Sequence, residues 1–187
     1  MKQRFEAIVI GGSAGSFPVV TSILHELGDK FSLPVLLALH RLKHVRHGFA
    51  EALNIRSSIK VVEPLDKDEV RGGKVYLAPA NYHMMIDQDK RFAISTTDLV
   101  KFSRPSIDIL LESAAIVYGE KLLGILLSGA NTDGAYGMRA IKDYGGFTIV
   151  QDPVEATITT MPNSAIESTD IDRVLNVKQI SEFIKKI

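Results

Sequence analysis

Short runs of aliphatic and β-branched residues alternate with amphipathic stretches along almost the whole chain, and this alternation restricts it to α/β folds built on a mainly parallel sheet. Ala7 to Ile10 reads as a first buried strand. Phe17 to Leu27 reads as a helix, with Val19, Val20, Ile23, Leu24 and Leu27 on one face and Gly28 as its stop. Pro34 to Leu39 is a second strand, Phe49 to Asn54 a short helix and Ile59 to Val62 a third strand. Between Arg71 and Ser95 the pattern changes. Lys74 to Leu77, Met84 to Ile86 and Phe92 to Ile94 are short and separated by polar loops, which suggests an antiparallel, hairpin-like insertion. Helical spacing returns at Ser106 to Tyr118, where Ser106 is placed to cap and Ile107, Leu110, Leu111, Ala114 and Ala115 form an apolar stripe. Leu122 to Leu127 is then a strand, Tyr136 to Tyr144 a helix and Phe147 to Val150 a strand. Asn163 to Ser168, behind Pro162, and Ile180 to Ile187 are closing helices. The expected architecture is a doubly wound, mainly parallel sheet with helices on both faces and an antiparallel hairpin insertion. At 187 residues, with no repeat and no linker, it reads as one domain spanning 1–187.

Composition narrows the chemistry. The chain has no cysteine, which removes disulfides, Cys-ligated zinc, iron–sulfur clusters and thiol nucleophiles, so covalent chemistry requires another side chain. Its 22 Lys and Arg balance 22 Asp and Glu, whereas nucleic-acid binders usually carry a basic excess; no nucleic-acid partner is expected. The apolar run from Leu122 to Leu127 is far short of the ~20 residues that cross a bilayer, so no membrane insertion is expected. The first residues are a poor signal peptide, and a cytoplasmic location is expected.

In an open α/β sheet, ligands gather at the carboxyl ends of the strands. Three such places carry reactive residue types: Gly11-Gly12-Ser13-Ala14-Gly15, His40, and Ser128-Gly129-Ala130-Asn131-Thr132-Asp133-Gly134. The first fits G-x-S-x-G at a strand-to-helix turn, which exposes a serine hydroxyl beside the free N–H groups of a helix start. The alternative is a glycine turn for a phosphate or dinucleotide. A dinucleotide site needs glycine two positions after the first and an acid at the end of the second strand. Here Ser13 follows Gly11 at that spacing, Ala14 follows Gly12, and His40 ends the second strand, so the residues favour a nucleophile.

His40 is the natural general base, because adjacent parallel strands bring their carboxyl ends to one rim. His44 and His47 would join it as metal ligands only if the segment were helical. Interleaved with Arg41, Lys43 and Arg46, they read instead as a solvated basic loop suited to docking an acidic partner. His25 reads as a surface residue and His83 as a satisfied structural one. A carboxylate to orient the imidazole is expected at the same rim. Asp133 is placed for this, with Asp152 and Asp108 as rivals. Its plainer role is to cap the helix that begins near Gly134 to Tyr136, and the two roles are compatible.

Ile10-Gly11-Gly12-Ser13-Ala14-Gly15, Leu39-His40, Val75-Tyr76-Leu77-Ala78-Pro79, Arg104-Pro105-Ser106-Ile107-Asp108, Ser128-Gly129-Ala130-Asn131-Thr132-Asp133-Gly134 and Gln151-Asp152-Pro153 occur in one order. In that order the chain resembles the CheB methylesterase catalytic domain. The resemblance implies a protein-glutamate methylesterase of bacterial chemosensory systems, acting on methylated chemoreceptor cytoplasmic helices and in some members deamidating glutamine. It implies Ser13 as nucleophile, His40 as base and Asp133 as orienting acid, with no metal and no cofactor. Ala14, Ala130 and Arg104 fall at positions tied to the oxyanion or the substrate. The family loop usually reads Thr-Gly-Met-Gly-x-Asp-Gly and the nucleophile is commonly followed by Thr. Ala130, Asn131 and Ala14 depart from that pattern, which keeps open a weakly active or inactive binding module. Met1 lies almost directly before the first strand, so the N-terminal receiver domain typical of the family is expected to be absent and regulation to come from a separate protein.

Overall fold

The computed structural model describes residues 5–41 and 48–187. His44 and His47, with Lys43 and Arg46, lie outside them. The elements are β1 (Ala7–Gly12), α1 (Ser16–Leu27), β2 (Val35–Leu39), α2 (Phe49–Asn54), β3 (Lys60–Val62), β4 (Lys74–Leu77), β5 (His83–Ile86), β6 (Phe92–Ser95), α3 (Ile107–Tyr118), β7 (Leu122–Leu126), α4 (Ala135–Asp143), β8 (Phe147–Gln151), α5 (Thr160–Ser168), β9 (Arg173–Leu175) and α6 (Val177–Lys185). Seven strands form one sheet in the order β3-β4-β2-β1-β7-β8-β9, and every pair in it is parallel. The strands β1, β2 and β7 are buried along their full length, which is why they read as continuous apolar runs rather than as alternating ones.

Alternate residues of each strand feed two cores. Ala7, Val9, Leu36, Ala38, Leu122 and Leu126 pack with α3, α4 and α5 on one face. Ile8, Ile10, Leu37, Leu39, Leu123 and Ile125 pack with α1 and α6 on the other. The antiparallel pair β5-β6 adds Met84, Ile86 and Phe92 to the first core, against α3.

The structure departs from the sequence reading in three places. Lys74 to Leu77 is not part of the hairpin. As β4 it runs parallel between β2 and β3, and the antiparallel insertion is β5-β6 alone. The strand β9 was not expected; it is a three-residue, largely exposed strand at the sheet edge. The closing helices also start three residues earlier than expected. Pro162 sits in the first turn of α5, where its missing N–H has no intrahelical partner to lose, and Asn176 with Gln179 forms a capping box at α6.

The strand order reverses at β1. From there β2, β4 and β3 lie to one side and β7, β8 and β9 to the other, and such a switch point opens a crevice at the carboxyl ends of its central strands. Ser13 follows β1 and the Ser128–Asp133 loop follows β7.

Candidate active site

Ser13 is held by its backbone. Its N–H donates to Ser128 O at 2.9 Å, and its carbonyl accepts from Ser16 N at 3.0 Å and Ser16 Oγ at 2.6 Å. The turn is tight enough to demand glycine. Gly15 caps α1 at φ 82°, and a Cβ there would stand 2.5 Å from Thr157 Cβ. A Cβ on Gly129 would fall 3.0 Å from Ser13 Cβ and 2.5 Å from Met161 Cε, so the loop after β7 presses directly on the serine. Ser128 joins the parts: its N–H donates to Gln151 Oε1, and its hydroxyl lies 2.8 Å from Ala14 O and accepts from Ile158 N. Among the described residues Ser13 Oγ makes no hydrogen bond, and the N–H groups of Ala14 and Ala130 donate to no protein acceptor.

His40 stands on the neighbouring strand end. Gly12 pairs with Leu39 in the sheet, and His40 N donates to Gly12 O at 3.1 Å, so His40 and Ser13 leave adjacent strands side by side. The imidazole is 13% exposed, and its Nε2 lies 2.8 Å from Asp133 Oδ2. A carboxylate accepts only, so Nε2 carries the proton and Nδ1 keeps a free lone pair.

Asp133 is fully buried and accepts four hydrogen bonds. Oδ2 takes His40 Nε2 and Ile107 N at 2.7 Å; Oδ1 takes Asp108 N and Ser106 Oγ, both at 3.0 Å. The helix it caps is therefore α3, not the α4 helix that follows it in sequence, which corrects the expected cap. The exchange is reciprocal, because Asp108 Oδ1 accepts Gly134 N at 2.7 Å and Gly137 N at 2.8 Å at the start of α4. Each acid satisfies the free N–H groups of the other's helix.

The two acids differ electrostatically. Burial pushes the Asp133 carboxyl up, but the His40 hydrogen bond and the Asp108 and Ile107 amides outweigh it and hold the group below its ordinary value. Burial also pushes Asp108 up, the Asp133 charge adds to this, and Lys101 and the Gly137 N–H offset it only in part, so Asp108 stays raised. Of the two acids, Asp133 is the one whose surroundings favour the ionised form.

The remaining residues fall into place around this pair. Asp152 accepts Val154 N and closes its own turn. Arg104 donates to Asn81 Oδ1 and to the carbonyls of Thr96 and Thr97, tying loops together; no hydrogen bond among the described residues links it to Ser13, His40 or Asp133. Ala14 and Ala130 are exposed on the rim. His25 is exposed, and His83 is buried between Asp98 O and Ser106 N, as expected. Sequence reasoning missed Lys101, the bracing role of Ser128 and the second task of Ser106, which is to hold Asp133. A clue to the last was present, since Ser106 and Asp108 lie in a motif shared with the resembled family. Among the described residues no helix is long and apolar enough to cross a membrane.

The comparisons agree on one family. Its model, described as CheB methylesterase, matches residues 8–184. A Leptospira interrogans protein provisionally named protein-glutamate methylesterase/protein-glutamine glutaminase is 44% identical over 184 residues, which is 98% of this chain and 95% of that relative. Protein-glutamate methylesterase/protein-glutamine glutaminase 1 of Carboxydothermus hydrogenoformans is 35% identical over 98% of this chain, which spans only 55% of that longer protein. The crystal structure of the Thermotoga maritima CheB methylesterase catalytic domain is similar with a TM-score of 0.92 and 30% identity, over 97% of this chain and 98% of that one.

Proposed function

The chain belongs to the CheB methylesterase family, and from that premise we propose that it is a serine hydrolase that cleaves γ-methyl esters of protein glutamates, with glutamine deamidation as a second activity of the same site. The observation that carries this reading is the 2.8 Å contact from His40 Nε2 to a buried carboxylate, on the strand end beside Ser13. His40 Nδ1 takes the Ser13 proton as Oγ attacks the ester carbonyl. The tetrahedral oxyanion is met by the unengaged N–H groups of Ala14 and Ala130, so the missing Thr and Met side chains are not required. His40 returns the proton to the leaving methoxide, which departs as methanol. Water, deprotonated by His40, then splits the acyl-serine to a glutamate carboxyl, while Asp133 stays ionised and stabilises the imidazolium. No metal or cofactor takes part. The substrates are methylated chemoreceptor cytoplasmic helices in a bacterial chemosensory system, and the site of action is the cytoplasm.

Incubation with a methylated receptor fragment should release methanol, and Ser13→Ala should release none above background. Equal release by both proteins would overturn the reading. The unengaged Ser13 hydroxyl favours a second reading, a module that keeps the fold and docks without chemistry. Triad bonds are often loose before substrate binds. A fluorophosphonate probe separates the two, since a docking module would leave Ser13 unlabelled.

A further inference from the structure

We propose that the Lys101–Asp108 ion pair is a positioning device for Asp133, gripping the residues on either side of it so that its carboxylate is held against His40. Asp108 Oδ2 accepts Lys101 Nζ at 2.7 Å, and the same ammonium donates to Thr132 O at 2.9 Å, one residue before Asp133. Asp108 Oδ1 takes Gly134 N at 2.7 Å, one residue after it. The Asp108 amide in turn donates to Asp133 Oδ1. The acid that faces His40 is thus pinned before, after and at its own side chain by one buried carboxylate and one lysine.

A capping role alone does not account for this arrangement. Capping α4 needs only the oxygen that faces Gly134 and Gly137, and an amide oxygen would serve. The second oxygen and the lysine add nothing to α4; what they add is a hold on Thr132. The backbone around Lys101 fits the same arrangement. Lys101 at φ 47° and Phe102 at φ 64° are consecutive non-glycine residues in the left-handed region, in a turn closed by hydrogen bonds between Val100 and Ser103. Side-chain burial does not explain the conformation, because Phe102 is 94% exposed. Such backbone persists where surrounding contacts over-determine it, and it clusters at functional sites. The contacts here are the paired Val100–Ser103 bonds that close the turn and the two bonds of Lys101. The lysine also opposes the upward push on Asp108 from burial and from Asp133.

The role rests on the hydrolase reading above, and the test separates the two. Asp108→Asn, Lys101→Met and Lys101→Arg are compared with wild type by thermal melting, by NMR exchange of the hydrogen-bonded His40 Nε2 proton with water, and by fluorophosphonate labelling of Ser13 across pH. In Asp108→Asn and Lys101→Met the His40 proton should exchange faster and labelling should slow, each by about 10- to 100-fold, the range typical when a group that orients a functional ligand is removed. Lys101→Arg should recover most of both. Melting temperatures that fall while exchange and labelling stay at wild-type rates would overturn the proposal and leave a plain structural cap. Should Asp108→Asn not fold, Lys101→Met decides, since that side chain is 37% exposed. The His40 exchange needs no substrate. Exchange that responds in a protein whose Ser13 is never labelled would support the clamp and overturn the hydrolase reading.

Discussion

The two ends of the candidate site are built in opposite ways. At the acid end Asp133 is fully buried, with four donors on its two oxygens. At the nucleophile end Ser13 is held only through its backbone, and its hydroxyl is unengaged among the described residues. The contrast matches what the proposed roles require of each group. A carboxylate that stabilises an imidazolium acts through fixed charge in a dry setting, so every lone pair is satisfied and nothing reorganises during reaction. A nucleophile has to reach a carbonyl carbon, so its surroundings fix where its Cα lies and leave Oγ free.

The largest expected effect tests the nucleophile end. Ser13→Ala should cut esterase activity by about 10⁴-fold or more, yet shift stability by no more than about 0.5 kcal/mol, because the hydroxyl holds nothing in place. Asp133→Ala should differ in kind. Activity should fall by roughly 10³- to 10⁴-fold, and unfolding should also cost about 3–5 kcal/mol less, because four donors, including two α3 amides, lose their acceptor in a buried space. Methanol release together with urea unfolding of both variants checks the pair. An Asp133→Ala protein as stable as wild type would break the contrast.

A smaller effect separates the two acids by pH. The Asp133 carboxyl is held below its unfolded value, so its contribution is full above about pH 4 and is lost as pH falls through the folded value. The stability difference between wild type and Asp133→Asn should therefore shrink on acidification below about pH 4. Asp108 is raised, so its sign is opposite: wild type should gain on Asp108→Asn as pH falls through the raised value. Unfolding measured at several pH values reads both slopes, and parallel slopes would show that the two acids share one environment.

These contrasts also explain what the sequence could reveal. The strands β1, β2, β7 and β8 announce themselves as apolar runs because both faces are covered. The short Lys74-Val75-Tyr76-Leu77, between two glycines and a Pro-Ala-Asn turn, has the local grammar of a hairpin strand; only its pairing with Leu37 and Val61 neighbours makes it parallel. Arg173 to Leu175 is three residues long and mostly exposed, so it carries almost no hydrophobic signal. Ser13 and His40 follow from position alone, each one step past a strand. The Asp133 loop was legible, but the direction of its cap was not. Local reasoning pairs an acid with the helix just after it, and here the donors come from a helix about 25 residues upstream, brought near only by the packing of α3 on α4.

The smallest effect is expected at Ala130, where the resemblance places methionine. If the oxyanion is met by backbone N–H groups, the side chain at this exposed position contributes through shape alone. Ala130→Met should then change the fluorophosphonate labelling rate by less than about 3-fold, a difference of under ~0.7 kcal/mol in barrier. An increase of about 100-fold, equivalent to ~2.7 kcal/mol, would mean that a side-chain contribution had been lost and that the native site is weakened. The result bears on the opening contrast directly. A negligible change would show that the nucleophile end, sparse as it is in side-chain contacts, is complete, because its working parts are the main-chain amides that the Gly15 turn and the Gly129 contact hold in place.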